Sequence, residues 1–599
     1  MPSRKSPTAA AGTPGRNVIA AAANAVSTYP LARARWPWAW AYNRPAIAEP
    51  VSRPRAMAAT MMAISPSDAP ALAAKVDNDG PTPPPTKPSA IKPATYRLVW
   101  AARGEAQMDG LSESDTTRGY TRESMAPVIH WFRRDLRLID NTALAAAAAS
   151  SAGDVLPVFI IDPALTGGRD VSAARLNFMF GCLRDLDAHL RQRGSRLMIR
   201  RGDPATVLPD LARETGTTTV AFNRDYTPLA RRRDARVTAA LRDGGIGVDV
   251  HRDAYIREPG ELLSGAGAPY TVFTPFKRAW LALPKDWSPA RAAPALRGAP
   301  DFASEPLPNP GPDSPALPPP GERPAFARLR QFAGSGGIDA YADQRDALAA
   351  DGTSRLSAHL RFGALSPRQA AQAALDSGDS KGAQTFLSEL IWREFYAHVL
   401  FHFPHADGAN FKRAYDKMTW GSGDATEDTR RFEAWTQGRT GYPIVDAAMR
   451  QLAETGWMPN RARMITASFL TKDLHLDWRR GESFFMRSLI DGDPASNNGG
   501  WQWAAGTGTD AQPWFRVFNP TLQGQRFDPD GAYVRQWVPE LAGFRGADVH
   551  MPWGTTASAQ RAAKCVIGET YPAPIVDHAT QRAEILRRFS ALKAASLTG

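Results

Sequence analysis

Cysteine is almost missing from this 599-residue chain, which has only Cys182 and Cys565. That excludes a disulfide framework and a cysteine-ligated metal site, and it fits a reducing compartment. Long apolar runs are missing too. The alanine-rich stretches are broken by polar residues, and none reaches the length that spans a bilayer. Acidic residues are outnumbered by basic ones, 60 to 72, which leaves a net charge of +12. Such a surplus favours a polyanionic partner, although a basic tail alone produces the same figure. No GxGxxG follows the first strand-like segment, so dinucleotide binding of that kind is unsupported. What is present is 43% hydrophobic residues, enough for a large core and two or three domains. Of the 17 tryptophans, ten lie in the C-terminal half, and Trp36, Trp38 and Trp40 form a separate cluster.

Residues 1–124 differ from the rest. They are rich in Ala, Pro, Arg, Ser and Thr, poor in acids and without periodicity, and Pro81–Pro88 can only be extended or disordered. The expectation is an over-extended reading frame with Met125 as the true start. A basic disordered arm and an acid-poor targeting peptide are the other readings. From Val128 apolar strands alternate with helical segments. Strands fall at Val128–Phe132, Val155–Ile161, Leu197–Ile199, Thr218–Phe222 and Val248–Val250, with Asn141 placed to cap the first helix. This pattern predicts a doubly wound parallel sheet, a Rossmann-like α/β domain over residues 125–255. Residues 256–324, Pro-rich from about 284, read as an inter-domain linker. Residues 325–590 should form an all-helical domain, with strong helices at Phe386–Phe401 and from Pro443 to a stop at Gly456.

The richest stretch chemically is Asp491–Asp510, DGDPASNNGGWQWAAGTGTD. Its glycines allow close backbone approach to a flat ligand, its carboxylates and amides can bond a heterocycle edge, and its indoles can stack and be oxidised. A buried redox ring with an aromatic wall fits this composition, as does a Gly-rich turn beside two core tryptophans. Thr353-Ser-Arg-Leu-Ser357 follows a glycine and precedes an apolar helix. It is either a phosphate cradle or an ordinary helix cap. Glu389, Trp392 and Tyr396 share one helix face, suited to a flat hydrogen-bonding base; the alternative is a Glu389–Arg393 ion pair beside a core tryptophan. Asn460, Arg461, Arg463 and Met464 cluster where arginines could hold phosphates or pair with Asp491, or simply form a solvated basic helix start. Trp420, Trp478 and Trp501 each lie beside polar residues rather than inside apolar stripes.

Together these segments resemble the DNA photolyase/cryptochrome family, most of all its bacterial class I cyclobutane pyrimidine dimer branch. The resemblance spans about 128–571 and is carried by Trp131-Phe-Arg-Arg-Asp-Leu-Arg-Leu138, Gly352–Ser357, Thr440–Arg450 and Asp491–Asp510. It implies an FAD, active as the reduced anion, in the helical domain. Tyr341, Thr353, Ser354, Arg355, Leu356 and Ser357 would hold its phosphates and ribose. Asp491, Gly492, Asp493 and Asn497 would meet the isoalloxazine, with Asn497 near N5 and Arg463 paired to Asp491. Trp501, Trp478 and Trp420 would pass electrons between flavin and surface. Arg345, Glu389, Trp392, Asn460, Arg461, Met464, Trp503 and Gln523 match positions that contact the lesion or DNA, with Trp392 and Trp503 flanking a flipped dimer. The implied activity is light-driven dimer repair, with blue-light sensing by a cryptochrome as the alternative. Pro459-Asn460 argues against the (6-4) branch, which uses paired histidines in this region. The α/β domain should carry an antenna chromophore, a folate, a deazaflavin or a flavin, with no antenna as the remaining alternative. Leu229 and Ala230 occupy positions where folate-binding relatives offer Asn and Glu. The implied partner is dimer-containing DNA, for a cytoplasmic monomer with no obligate protein partner, no membrane association and no metal.

Overall fold

A computed structural model describes residues 126–597 apart from 169, 286, 298–301, 309–317, 512 and 514. The expectations for residues 1–124, including a start at Met125, lie outside the described residues. Five strands, β1 (Val128–Phe132), β2 (Val155–Ile161), β3 (Met198–Arg201), β4 (Thr219–Asn223) and β5 (Gly247–His251), form one parallel sheet in the order β3-β2-β1-β4-β5. Successive side chains of a strand point to opposite faces. Val128 and Phe132 therefore pack with Leu144, Phe178 and Leu186 on one face, while Ile129 and Trp131 pack with Leu208, Leu211, Val237 and Leu241 on the other. Both faces are covered by helices, which is why the strands read as continuous apolar runs. Asn141 caps the Thr142–Ser150 helix by accepting the Leu144 amide at 3.1 Å. Pro157 is tolerated in β2 because the pairing with β3 begins only at Val158.

From Glu322 onward the regular elements are helices. The architecture is thus the expected α/β sheet followed by a helical region. Residues 256–324, expected to be linker throughout, include a helix at Phe273–Ala282 whose Phe273, Phe276 and Trp280 enter the helical core. Glu394, on the Lys381–His402 helix, holds this segment. It accepts the Ile256 amide at 2.6 Å, the Arg257 amide at 3.1 Å and the Trp280 indole at 2.6 Å.

The arginines after β1 fasten the sheet to the helices. Arg137 meets Asp253 at 2.7 Å, both buried, and Arg368 binds the same carboxylate at 2.7 Å. Arg134 reaches Asp225 at 3.3 Å and Asp493, deep in the helical region, at 2.7 Å. Among the described residues, no helix is long and apolar enough to cross a membrane.

Candidate active site

A cavity of about 510 Å³ opens within the helical region. Five stretches build it: residues 341–361, the 381–402 helix, residues 457–467, residues 485–489 and residues 491–503. Tyr341, Arg345, Thr353, Ser354, Arg355, Leu356, Ser357, Glu389, Trp392, Asn460, Arg461, Arg463, Met464, Asp491, Gly492, Asp493, Asn497, Trp501 and Trp503 all line it. Residues separated by up to about 160 positions thus share one space. Trp478, Trp420 and Gln523 do not line it. Gln523 is half-buried on the Pro520–Phe527 helix, whose Phe527 ring lies 4.3 Å from the Arg461 guanidinium.

The alternative readings of several motifs fall away here. Glu389 pairs with Arg345, not Arg393. Arg393 instead donates to the Ala254 carbonyl at 2.8 Å and lies 4.6 Å over the Tyr255 ring. The Ser357–Phe362 helix has Leu356 at its N-cap and no side-chain cap, so the Thr353, Ser354 and Ser357 hydroxyls are not spent on capping it. Arg463 is no solvated helix start: it meets Asp491 Oδ2 at 2.8 Å and the Met458 carbonyl at 2.9 Å. Pro459, in an extended conformation, accepts the Arg463 amide at 3.1 Å, and Asn460 begins its helix on schedule.

The lining has unmet hydrogen-bonding capacity. Asp491 Oδ1, Trp501 Nε1, Arg361 Nη1 and Arg461 Nε are buried without a partner. Arg345, Arg355, Arg361, Arg393, Arg461 and Arg463 outnumber the acids Glu389, Asp491 and Asp493. Arg361 and Arg393 were not foreseen as site residues. Burial and the neighbouring Arg134 push the Arg361 guanidinium down to about 9, which favours an anion beside it. Burial pushes the Asp493 carboxyl up, but Arg134, Arg361, Arg393 and the Ser496 amide outweigh it and hold the group at about 2. Asp493 is therefore a fixed anion. It caps the Pro494–Ala505 helix through the Ala495 and Ser496 amides, both at 3.1 Å, and anchors Arg134. Asp493 lines the cavity as well, and Asp491 has an oxygen without a partner. Asn497 donates through Nδ2 to the Glu482 carbonyl at 3.0 Å, which leaves its Oδ1 as the available acceptor.

Two glycines let helices close around this space. A Cβ on Gly499 would fall 2.1 Å from the Tyr396 ring, and one on Gly481 would fall 2.1 Å from the Trp501 indole. Trp501 lies against the Trp478–Ser488 helix one turn from Trp478. Trp478 is fully buried and donates to Asn410 Oδ1 at 2.9 Å. Trp420 is half-buried against Ile585 and Phe589 of the C-terminal His578–Leu597 helix. Trp501 and Trp478 are buried, and of the three indoles only Trp420 is partly exposed.

Residues 128–296 match the family model of DNA photolyase, and residues 386–591 match the FAD-binding domain of DNA photolyase. The chain belongs to the DNA photolyase family. It is 41% identical over 489 residues to the deoxyribodipyrimidine photo-lyase of Synechococcus sp., an alignment covering 78% of this chain and 98% of that one. The solved class III photolyase of Agrobacterium tumefaciens superimposes with a TM-score of 0.74 at 40% identity, covering 80% of this chain and 100% of that one. A cryptochrome of Synechocystis matches with a TM-score of 0.71 at 30% identity, covering 77% of this chain and 99% of that one. The same fold is thus found in proteins named photolyase and cryptochrome. For the photolyase cofactor, the cavity residues fit: the free Nη1 of Arg361 suits a diphosphate oxygen, and Asp491 Oδ1 suits an N–H or O–H donor. Among the described residues, no group of three or more His, Cys, Asp or Glu side chains could hold a metal.

Proposed function

We propose that this protein is a light-dependent DNA lyase that splits cyclobutane pyrimidine dimers, with FAD and the dimer side by side in the one cavity. The observation that carries the proposal is the joining of two sets of side chains. A polar, arginine-rich floor adjoins a wall of Trp392, Trp503, Glu389 and Asn460 that suits a damaged base. A sensor of light needs only the floor.

Tyr341, Thr353–Ser357, Arg361 and Arg393 would hold the phosphates and ribose of FAD, and Asp491 and Asn497 the edge of its ring. When bound and reduced, FAD supplies the light-driven electron that opens the cyclobutane ring and is then returned. The protein supplies position, dryness and charge. A dimer is badly stacked, so flipping it out costs less than flipping a normal base. Trp392 and Trp503 would flank it by stacking, while Glu389 and Asn460 bond its edges. Glu389 can do so because Arg345 fixes its carboxylate. Arg461, Arg345 and Gln523 would meet backbone or bases at the mouth, making affinity salt-dependent. Trp501, Trp478 and Trp420 would return an oxidised flavin to the reduced state without taking part in each repair event.

We infer a domain division at residues 125–255 and 325–590, with the first as the antenna domain. Leu229 is exposed and Ala230 buried, and neither offers a polar side chain to a folate, which leaves a deazaflavin or a flavin as the better antenna.

Affinity in the dark tests the pocket directly. The protein should bind a dimer-containing duplex far more tightly than an undamaged one. Glu389→Ala should weaken that binding by about 1–3 kcal/mol, the cost of leaving a buried polar group unpaired. Equal affinity for damaged and undamaged duplexes would refute the proposal.

A further inference from the structure

The last part of the richest motif, Gly506–Asp510, contributes nothing to the site as proposed. Asp510 nevertheless adopts a backbone conformation that a residue with a side chain rarely takes, with φ of 41°. Its Oδ2 accepts the Phe273 amide at 3.0 Å, while the Thr509 hydroxyl donates to the Thr271 carbonyl. Phe273 opens the 273–282 helix, which has no side-chain cap of its own at Val272. Asp510 therefore serves as an anionic cap delivered from a segment about 240 residues away. The ring that this cap fixes lies flat on Trp392, with centroids 3.6 Å apart and planes 9° from parallel. Phe395 meets Trp392 edge-on at 5.6 Å and Tyr396 lies tilted at 5.4 Å. Phe273 thus supports one face of an indole that also lines the cavity.

We propose that Thr509, Asp510 and Phe273 are positioning residues that hold the plane of Trp392 for stacking on the damaged base. The inference rests on the reading of Trp392 as a lesion wall. A stacked ring removes the freedom of the indole before the base arrives, so less ordering remains at binding. It also links Trp392 to the 494–505 helix, which carries Asn497, Trp501 and Trp503 and runs into Asp510. The two walls flanking the dimer are thereby set by one continuous segment.

The test compares dark affinities of the full-length, FAD-loaded protein for dimer-containing and undamaged duplexes. Phe273→Leu and Asp510→Ala should each weaken dimer binding about tenfold, a loss on the scale of one base–aromatic stack. Phe273→Tyr keeps the ring and Asp510→Asn keeps an acceptor, so both should stay within about twofold of the parent. FAD content and undamaged-duplex affinity should not change in any of the four, which a general loss of folding would move. In a Trp392→Ala background, Phe273→Leu should cost nothing further. If Trp392→Ala itself leaves dimer affinity intact, the lesion-wall reading fails. If Trp392→Ala weakens binding while Phe273→Leu and Asp510→Ala do not, the brace fails and the wall stands. Loss of FAD in step with dimer affinity, or failure of Asp510→Asn to rescue, would also overturn the brace.

Discussion

Single side chains in this cavity are defined by what their partners leave free. Asp491 gives one oxygen to Arg463 and keeps the other. Asn497 donates one amide hydrogen to the Glu482 carbonyl and keeps its own carbonyl oxygen as an acceptor. Trp501 packs its benzo edge on Gly481 and has an indole N–H without a partner. Because Trp501 lines the cavity and is the proposed first indole of the electron path, Trp501→Phe should slow photoreduction of the oxidised flavin severalfold. It should leave repair by chemically reduced protein unchanged. Flash-photolysis rates beside single-turnover repair yields would check this, and equal photoreduction in variant and parent would remove the indole from the pathway. Residue types and spacing already suggested Asp491, Asn497 and Trp501. They did not suggest Arg361 or Arg393, since the partners of those arginines, the Gly492, Ala254 and Leu360 carbonyls, lie 33–139 positions away. Proximity in sequence pointed to a Glu389–Arg393 pair that the fold does not make.

At the scale of elements, the 478–488 and 494–505 helices form one unit through Glu482. Its carbonyl holds Asn497, and its carboxyl accepts from Asn498 at 2.9 Å. Burial pushes this carboxyl up to about 7 from an ordinary 4.5, against the pull of Asn498. A carboxyl raised in the folded state binds its proton more tightly folded than unfolded. Its contribution therefore declines as pH rises from about 4.5 to about 7. Glu482→Gln should remove that decline, worth on the order of 1–3 kcal/mol across the window. Glu394, also raised by burial to about 7, and Asp473, raised by burial to about 6, decline in the same direction in both proteins. The difference between the two unfolding curves isolates Glu482, and parallel curves would contradict its assignment. Strands were legible because a sheet covered on both faces leaves continuous apolar runs, and the helix from Pro443 because a first-turn proline and Gly456 bracket it. The 273–282 helix was not. It is short, has Pro275 in its first turn and no local cap, and owes its stability to Asp510, Glu394 and the core face of Phe276 and Trp280.

For the molecule as a whole, the sheet and the helical region are joined by buried charge. Arg134 between Asp225 and Asp493 ties the segment after β1 to the cavity wall, and Asp253 between Arg137 and Arg368 ties it to the Pro367–Asp376 helix. Breaking such a cluster from one side leaves a buried charge uncompensated. Arg134→Ala should therefore destabilise the protein by about 3–5 kcal/mol and release FAD, measurable as a fall in the thermal midpoint and in bound flavin absorbance. The family match begins at residue 128. Deleting residues 1–124 should leave FAD content and repair at parental levels, and a loss of either would give that segment a function. The central claim is that one cavity combines a flavin floor with a lesion wall in order to repair DNA. Its most direct test is to incubate the photoreduced full-length protein with a dimer-containing oligonucleotide, in parallel under blue light and in the dark. The return of the ultraviolet absorbance of the intact pyrimidines is then followed. Complete recovery in the light and none in the dark are expected. With FAD bound and the dimer held, no recovery in the light would contradict the claim.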